Sequence, residues 1–415
     1  MKKTLKVIAI TTGILLVLLI TTGIGLYLAS PKPFSPPKKI SHIREIDNYF
    51  QKLTENRTPP SLSITVLKNS RFVYQKAFGF ADGPKKIKAT IDTIYPWWSV
   101  TKLFTATAIM QLVEMGKIDL DDPVQKFLPY FTARDKKGNM KTITVRQLLN
   151  HSSGLRDFIP DGLTWVRLAG EPQPDQTEFF KEKILKKFTI TDFEPGSKTG
   201  YTNTGYHVLG VIIESVAGME YNDYVTENIL VPLNMQNSAF VRSETLQEKT
   251  ATGTNPVLNI FTFLLKIFAD KGFFDTYVRE TEKGVMWFQP IYTNFTPSTG
   301  LSGTGAELAR FGNVFLQDGI FENNPFLSAE SVQKMLKPFT LSQLGKTYNS
   351  KSIGLGWKAW KINNRVVYSH GGGGPGFGAL LVIVPGTDLV AVILANDTNI
   401  DRNVLARLLV GFDWK

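Results

Sequence analysis

Tyr95-Pro96-Trp97-Trp98-Ser99-Val100-Thr101-Lys102 leads into an apolar run over 103–115 that stops at Gly116. Glu114 is the only charge in that run, so it predicts a helix that is apolar almost all round and therefore buried. Gly116 supplies the C-terminal stop. Ser99 and Lys102 stand three residues apart at the mouth of this helix, which puts both side chains on one face, one turn apart. A serine hydroxyl becomes a useful nucleophile when a neighbouring base takes its proton, and a lysine can be that base where burial disfavours its ammonium form. Backbone N–H groups in the first turn, free of helical partners, could polarise a substrate oxygen. Read alone, the same four residues also suit a helix N-cap followed by a solvated lysine.

Upstream, 43–53 reads as a first helix, and 61–66 and 72–80 as two strands around the turn Lys68-Asn69-Ser70. Downstream, Asp119-Leu120-Asp121-Asp122-Pro123 is a turn, and Thr144-Val145-Arg146-Gln147 is a capping box opening a short helix to Leu149. His151-Ser152-Ser153-Gly154 closes that helix. A further helix is expected near 177–187, then the turn Glu194-Pro195-Gly196. Tyr201-Thr202-Asn203 stands directly before an apolar helix over 205–217, stopped by Gly218. Thr304-Gly305-Ala306-Glu307 is another capping box, with a helix to about 316. The stretches 365–370, 378–384 and 389–395 alternate well enough to be strands, with Pro385-Gly386 as a turn, and a helix over 403–411 ends the chain. The segment 257–275 is apolar and aromatic but broken by Asn259, Lys266 and Asp270, and reads as a lid or a membrane-grazing stretch. Strands at both ends and mostly helical sequence between them predict an α+β fold. Its N- and C-terminal strands would join one antiparallel sheet flanked by helices, with a mostly helical region inserted.

The chain has 415 residues and a formal net charge of +11, but six lysines and no acid fall in residues 1–39, leaving about +5 on the rest. No Arg/Lys cluster is interleaved with aromatics, so no nucleic-acid partner is expected. The absence of cysteine excludes disulfides, thiolate metal sites and a cysteine nucleophile. The four histidines, His42, His151, His207 and His370, lack metal-binding spacing, so neither a metal nor another cofactor is expected. Lys2, Lys3 and Lys6 precede an uncharged run over 7–28, long enough to cross ~30 Å of hydrocarbon as a helix. A cut after Ala29 would place Tyr27 in the small-residue position, so 1–30 is expected to be a retained transmembrane anchor rather than a cleaved signal. Lys32, Lys38 and Lys39 dilute the charge asymmetry, and the short N-terminus is still expected inside with the body extracytoplasmic. Residues 31–39, rich in proline and lysine, form a stiff spacer, and 40–415 form one domain.

Three motifs stand in order: Ser99-Val100-Thr101-Lys102, Tyr201-Thr202-Asn203 and His370-Gly371-Gly372. Around them lie Lys117-Ile118-Asp119-Leu120-Asp121-Asp122-Pro123, Leu148-Leu149-Asn150-His151-Ser152-Ser153-Gly154, Pro232-Leu233-Asn234-Met235, Gly300-Leu301-Ser302 and Gly354-Leu355-Gly356-Trp357. In order and spacing they resemble the serine β-lactamase and penicillin-binding-protein superfamily, in its class C β-lactamase, D-Ala-D-Ala carboxypeptidase and esterase branch, over roughly residues 45–400. The resemblance implies a β-lactamase/transpeptidase-like fold in which Ser99 is acylated and Lys102 accepts its proton. Tyr201 would share the base role and return the proton to the leaving group, and Asn203 would orient the substrate amide. His370-Gly371-Gly372 would take the place of a lysine-threonine-glycine strand, and the oxyanion hole would be the N–H groups of Ser99 and Gly373. The chemistry agrees: a tyrosine hydroxyl is a base at neutral pH only where cations favour the phenolate, and Lys102 is the nearby cation. Glycines after His370 would let a substrate carbonyl approach the strand closely.

Departures bear on the substrate. Many relatives carry a carboxylate-binding lysine where His370 stands, and a histidine is only partly charged near neutral pH. No E-x-x-L-N stretch supports deacylation by a separate glutamate, and the absence of G-x-S-x-G argues against an α/β-hydrolase. His151 reads as a structural hydrogen-bonder near the site. The expected function is that of a membrane-anchored extracytoplasmic serine hydrolase cleaving a small-molecule or peptide ester or amide. One alternative is a β-lactamase or D-Ala-D-Ala carboxypeptidase, favoured if the cleft holds another cation near His370. The other is an acylatable penicillin-binding sensor that turns over poorly.

Overall fold

Asn69 and Ser70, both at positive φ (50° and 57°), turn the chain tightly between β1 (Ser61–Lys68) and β2 (Arg71–Asp82), as a two-residue hairpin requires. In the computed structural model, which describes residues 35–37, 40–158, 165–259, 262–263, 272–339 and 352–414 together with Thr21 and Gly25, this hairpin is one end of the main sheet. The short β3 (Ile87–Lys88) follows it, and five strands come from the far end of the chain: β4 (Ser352–Ile353), β5 (Lys358–Ile362), β6 (Arg365–Gly374), β7 (Phe377–Val384) and β8 (Leu389–Ala395). The order across the sheet is β4-β5-β6-β7-β8-β1-β2-β3, antiparallel throughout. β1 and β8 meet in the register Ser63↔Leu394 and Thr65↔Val392, so the first and last strands close the sheet as the sequence predicts.

Every residue of β7 and β8 is buried, because helices cover both faces of the sheet. On one face lie α1 (Ile43–Glu55) and the last helix, which supply Phe50, Leu53, Leu405 and Leu409. On the other lies the insertion, with α2 (Thr101–Glu114), α3 (Asn203–Ala217) and α4 (Gly305–Leu316); the last helix is therefore α5 (Arg402–Gly411). From Thr101 to Leu112 every side chain of α2 is buried, which is what a helix apolar all round requires. α2 and α3 each end against a left-handed glycine, Gly116 at φ 69° and Gly218 at φ 70°.

Several expectations need correction. Thr144 and Gln147 form the full reciprocal capping box, but at α4 only half of one exists. Thr304 accepts from the Glu307 N–H, whereas the Glu307 carboxylate turns away to the Asn237 N–H at 2.8 Å and the Ser238 hydroxyl at 2.7 Å. The helix expected near 177–187 is a single α turn, Gln176–Phe179, continued by a π-helical turn, Phe180–Ile184. The wider turn lets the consecutive Phe179 and Phe180 be buried together with Ile184. Strand β5 has no counterpart in the sequence reading. Within 257–275 the structure describes a short helix, Phe273–Tyr277, reaching past the end of that segment, and the rest is described only in part. No helix among the described residues is long and apolar enough to cross a membrane; the run 7–28, save Thr21 and Gly25, and most of the spacer 31–39 lie outside them.

Candidate active site

Ser99 is not in the first turn of α2, as the sequence suggests, but in a 3-10 turn, Trp98–Val100, that delivers the chain into that helix. Trp98 holds a left-handed φ of 49°, a conformation that costs a non-glycine residue about 1 kcal/mol or more. The turn is tied down on both sides: the Trp97 N–H donates to the Leu301 carbonyl at 2.8 Å, and the Leu301 N–H donates to the Thr101 hydroxyl at 3.0 Å. One turn on, Lys102 is completely buried. Its Nζ lies 3.2 Å from Ser99 Oγ, 2.7 Å from Asn203 Oδ1 and 2.9 Å from the Ser298 carbonyl, which the short helix Thr296–Thr299 presents. Burial pushes the Lys102 ammonium well below its ordinary pKa; the Asp157 carboxylate opposes this and the Lys358 charge adds to it.

The second motif arrives on an arm that is bonded to the loop after Leu149. The His151 carbonyl accepts from the Gly200 N–H at 2.8 Å, the Ser152 carbonyl from the Gly196 N–H at 2.8 Å, and His151 Nδ1 from the Thr202 N–H at 3.3 Å. His151 therefore stands beside the site as a hydrogen-bonder, its ring 4.4 Å from that of Tyr201. Thr202 caps α3, so Asn203 opens the helix with its side chain turned toward Lys102. Asn203 Nδ2 donates to both oxygens of Asp157 at 3.2 Å. The Ser99 side chain acts on the Tyr201 hydroxyl by favouring its ionised form. Although 37% of Tyr201 is open to solvent, burial around its hydroxyl holds its pKa well above the usual tyrosine range; the Ser99 side chain eases this and the Asp157 charge reinforces it. The expectation that nearby cations favour the phenolate is thus corrected: in the resting site Tyr201 keeps its proton.

The third motif lies on β6. The partnering with β5 ends at Lys358↔Ser369, and His370-Gly371-Gly372-Gly373-Gly374 runs on beside the Ser99 turn with a strand partner, β7, on one side only. A Cβ at Gly372 would collide with the Trp97 carbonyl and lie 3.0 Å from the Ser99 nitrogen, so only glycine allows this approach. His370 is completely buried, and its Nδ1–H donates to the Gly371 carbonyl at 2.9 Å. Burial first, then the charges of Lys358 and Lys102, hold both His151 and His370 well below the ordinary histidine pKa. His370 is therefore neutral rather than partly charged. The cation of this corner is Lys358, whose Nζ sits 4.3 Å from the centre of the Tyr201 ring.

The structure thus brings together Ser99, Lys102, Tyr201, Asn203, His370, Gly371, Gly372 and Gly373, from three distant parts of the sequence. A model of the Beta-lactamase family matches residues 46–410. The chain belongs to the Beta-lactamase family. Among its relatives, Protein flp of Staphylococcus aureus (strain MW2) is 30% identical over 210 residues, which are 51% of this chain and 41% of flp. The chain thus matches less than half the length of that relative. Penicillin-binding protein 4 of Amycolatopsis lactamdurans is 25% identical over 365 residues, covering 84% of this chain and 83% of that protein. The octameric penicillin-binding protein homologue from Pyrococcus abyssi has a similar structure, with a TM-score of 0.70 at 25% identity over 90% of this chain and 78% of that one. The fold is β-lactamase/transpeptidase-like.

Three members of this β-lactamase-family site were not found by sequence reasoning. Asp157 follows the phrase His151-Ser152-Ser153-Gly154 by three residues, and Lys358 directly follows Gly354-Leu355-Gly356-Trp357; both phrases were legible, and an acid or a lysine at their edge was the available signal. Ser298 contributes a backbone carbonyl, for which side-chain identity carries no signal. Among the described residues no group of three or more His, Asp or Glu could hold a metal ion.

Proposed function

We propose that the protein hydrolyses an ester or amide through an acyl-enzyme on Ser99. One observation carries the reading: of the three partners of the buried Lys102 Nζ, Asn203 Oδ1 and the Ser298 carbonyl only accept, and Ser99 alone can donate. A neutral Lys102 gives its two N–H groups to the acceptors and its lone pair to the Ser99 hydroxyl. Ser99 Oγ attacks the substrate carbonyl as its proton passes to Lys102, and the oxyanion is received by the N–H groups of Ser99 and Gly373. The Tyr201 hydroxyl gives its proton to the departing alkoxide or amine and is reprotonated from the Lys102 ammonium. Water then attacks the Ser99 ester and releases the acid. Asn203 and the His370-Gly371-Gly372 edge hold the substrate chain.

A second reading, a peptidase or β-lactamase acting on a substrate with a free carboxylate, gains support from Lys358, a cation beside Tyr201 and His370. The third, a penicillin-binding sensor, differs only in slow deacylation. We further place the enzyme at the cell membrane with its catalytic domain outside, anchored through residues 7–28, on the strength of that uncharged run. Resistance to alkaline carbonate extraction, together with access of added protease to the body in intact cells, tests the location; full release by carbonate sinks it.

Intact-mass spectrometry after separate incubation with a fluorophosphonate, 4-nitrophenyl butyrate and a penicillin tests the chemistry, with Ser99→Ala as control. A Ser99-dependent fluorophosphonate adduct and ester turnover are expected. A stable penicillin adduct selects the sensor or peptidase, and rapid penicillin hydrolysis selects the β-lactamase. Labelling and turnover that survive Ser99→Ala remove the nucleophile assignment.

A further inference from the structure

We propose that Asp157 is the positioning residue of this site, aiming the Lys102 lone pair at Ser99 through the side chain of Asn203. The inference rests on Ser99 being the nucleophile. An asparagine amide can face either way, and what fixes it is its neighbours. Asp157 is half-buried, and burial raises its carboxyl pKa while Lys102 and the Asn203 hydrogen bonds hold it down. As a carboxylate it presents acceptors alone, its Oδ1 taking the Asn203 backbone N–H at 3.3 Å and its two oxygens taking Nδ2 at 3.2 Å each. The carboxylate therefore forces Nδ2 toward itself and Oδ1 toward Lys102, 2.7 Å away. With the amide reversed, Nδ2 would donate to Lys102 and draw the lone pair off Ser99. Asp157 also sits against the N-terminus of α3, where a negative charge is favoured.

The same carboxylate bears on how basic Lys102 is. The groups facing Lys102 include Ser99, Asn203 and the Ser298 carbonyl, the rings of Tyr201 at 5.1 Å and Tyr206 at 5.5 Å, and the charges or dipoles of Asp157, Lys358, His151 and His370. Of these Asp157 is the acid, and it supports the ammonium against burial and Lys358. Taking its charge away makes Lys102 a weaker base that is neutral to lower pH.

The test follows phosphonylation of the full chain, in which Ser99 Oγ displaces fluoride from a fluorophosphonate and its proton leaves through Lys102. The quantities read are kinact and KI from pH 5 to 9. For Asp157→Asn, kinact is expected to fall about tenfold or more with KI within about twofold. Its acidic limb is expected to move down by about one pH unit, the shift an opposite charge at this range produces. Asp157→Glu keeps the charge and should keep the limb where the wild type has it. A loss of kinact with the limb unmoved, or a wild-type profile in Asp157→Asn, overturns the proposal. If Asp157→Asn does not fold, Asp157→Glu decides: a limb in place supports the role, and a limb displaced downward ends it. Failure of the Ser99 reading is separate, since it shows as wild-type protein that is not labelled or is labelled equally after Ser99→Ala.

Discussion

In the proposed reaction the buried Lys102 activates Ser99, and a different residue, Lys358, bears on substrate choice. His370 is neutral, and beside it and Tyr201 Lys358 is a cation that can attract an anion. Replacing it in Lys358→Met keeps the length of the side chain and removes the charge. The KM or acylation constant for a carboxylate-bearing substrate, such as a peptide ending in D-Ala-D-Ala or a penicillin, is expected to worsen about tenfold, the scale of one charge-assisted hydrogen bond. The KM for 4-nitrophenyl butyrate, which has no charge, should hardly change. Equal effects on both would assign Lys358 to the support of Tyr201 instead. At this scale the sequence was informative wherever chemistry repeats a local spacing: Ser99 with Lys102, Tyr201 with Asn203, and the glycines after His370. It was silent on Asp157 and Lys358 as site members, because each reaches the site only through a partner far away in the chain, Asn203 and Tyr201 respectively.

At the scale of elements, the site depends on how closely β6 approaches the Ser99 turn. Gly372→Ala would drive a methyl group into the Trp97 carbonyl, and the strand or the turn would have to give way. A displacement near 1 Å at a reacting centre costs about 10²-fold in rate, and overpacking of this kind about 1–3 kcal/mol in stability. Fluorophosphonate labelling should therefore slow about a hundredfold while thermal unfolding remains cooperative; labelling at the wild-type rate would show that the strand yields freely. Between β8 and α5, burial raises the Asp397 carboxyl to about 7, against which the Asn399 N–H offers one hydrogen bond at 2.8 Å. Its folded pKa lies above its unfolded value, so the stability it lends is present below the unfolded pKa of 3.8 and lost as pH rises toward 7. Asp397→Asn removes that titration. Its melting temperature should gain on the wild type between pH 4 and pH 7, corresponding to about 2–4 kcal/mol. A gap that is constant with pH would mean that Asp397 is ionised in the folded protein throughout. The elements legible in the sequence were those marked by local punctuation: the Asn69-Ser70 turn, the Thr144 cap, and the stops at Gly116 and Gly218. The π turn at Phe180–Ile184 and the departure of Glu307 from its expected cap were decided by packing against distant residues, which no local pattern encodes.

For the molecule as a whole, the sheet is closed by its two ends: β1 is hydrogen-bonded to β8, and α1 and α5 share the core on the outer face. The fold class was readable because strands at both ends of a long body leave few other arrangements. α1 is part of this core. Ile46, Tyr49, Phe50 and Leu53 of α1 are buried against the sheet, and the helix starts at Ile43 after a cap at His42. Removing α1 would therefore expose the outer core, and a chain starting at residue 57 is expected to be insoluble. Removing only residues 1–39 deletes the apolar run and the spacer but leaves α1 and its cap intact. The shortened protein should remain in solution without detergent, label at Ser99 at the rate of the full chain within about twofold, and unfold in one transition. The full chain should instead require detergent for extraction from cells. Loss of Ser99 labelling in the shortened protein, with its fold intact by circular dichroism, would mean that the N-terminal segment contributes to the site itself; equal solubility of both forms would mean that 7–28 does not engage a membrane.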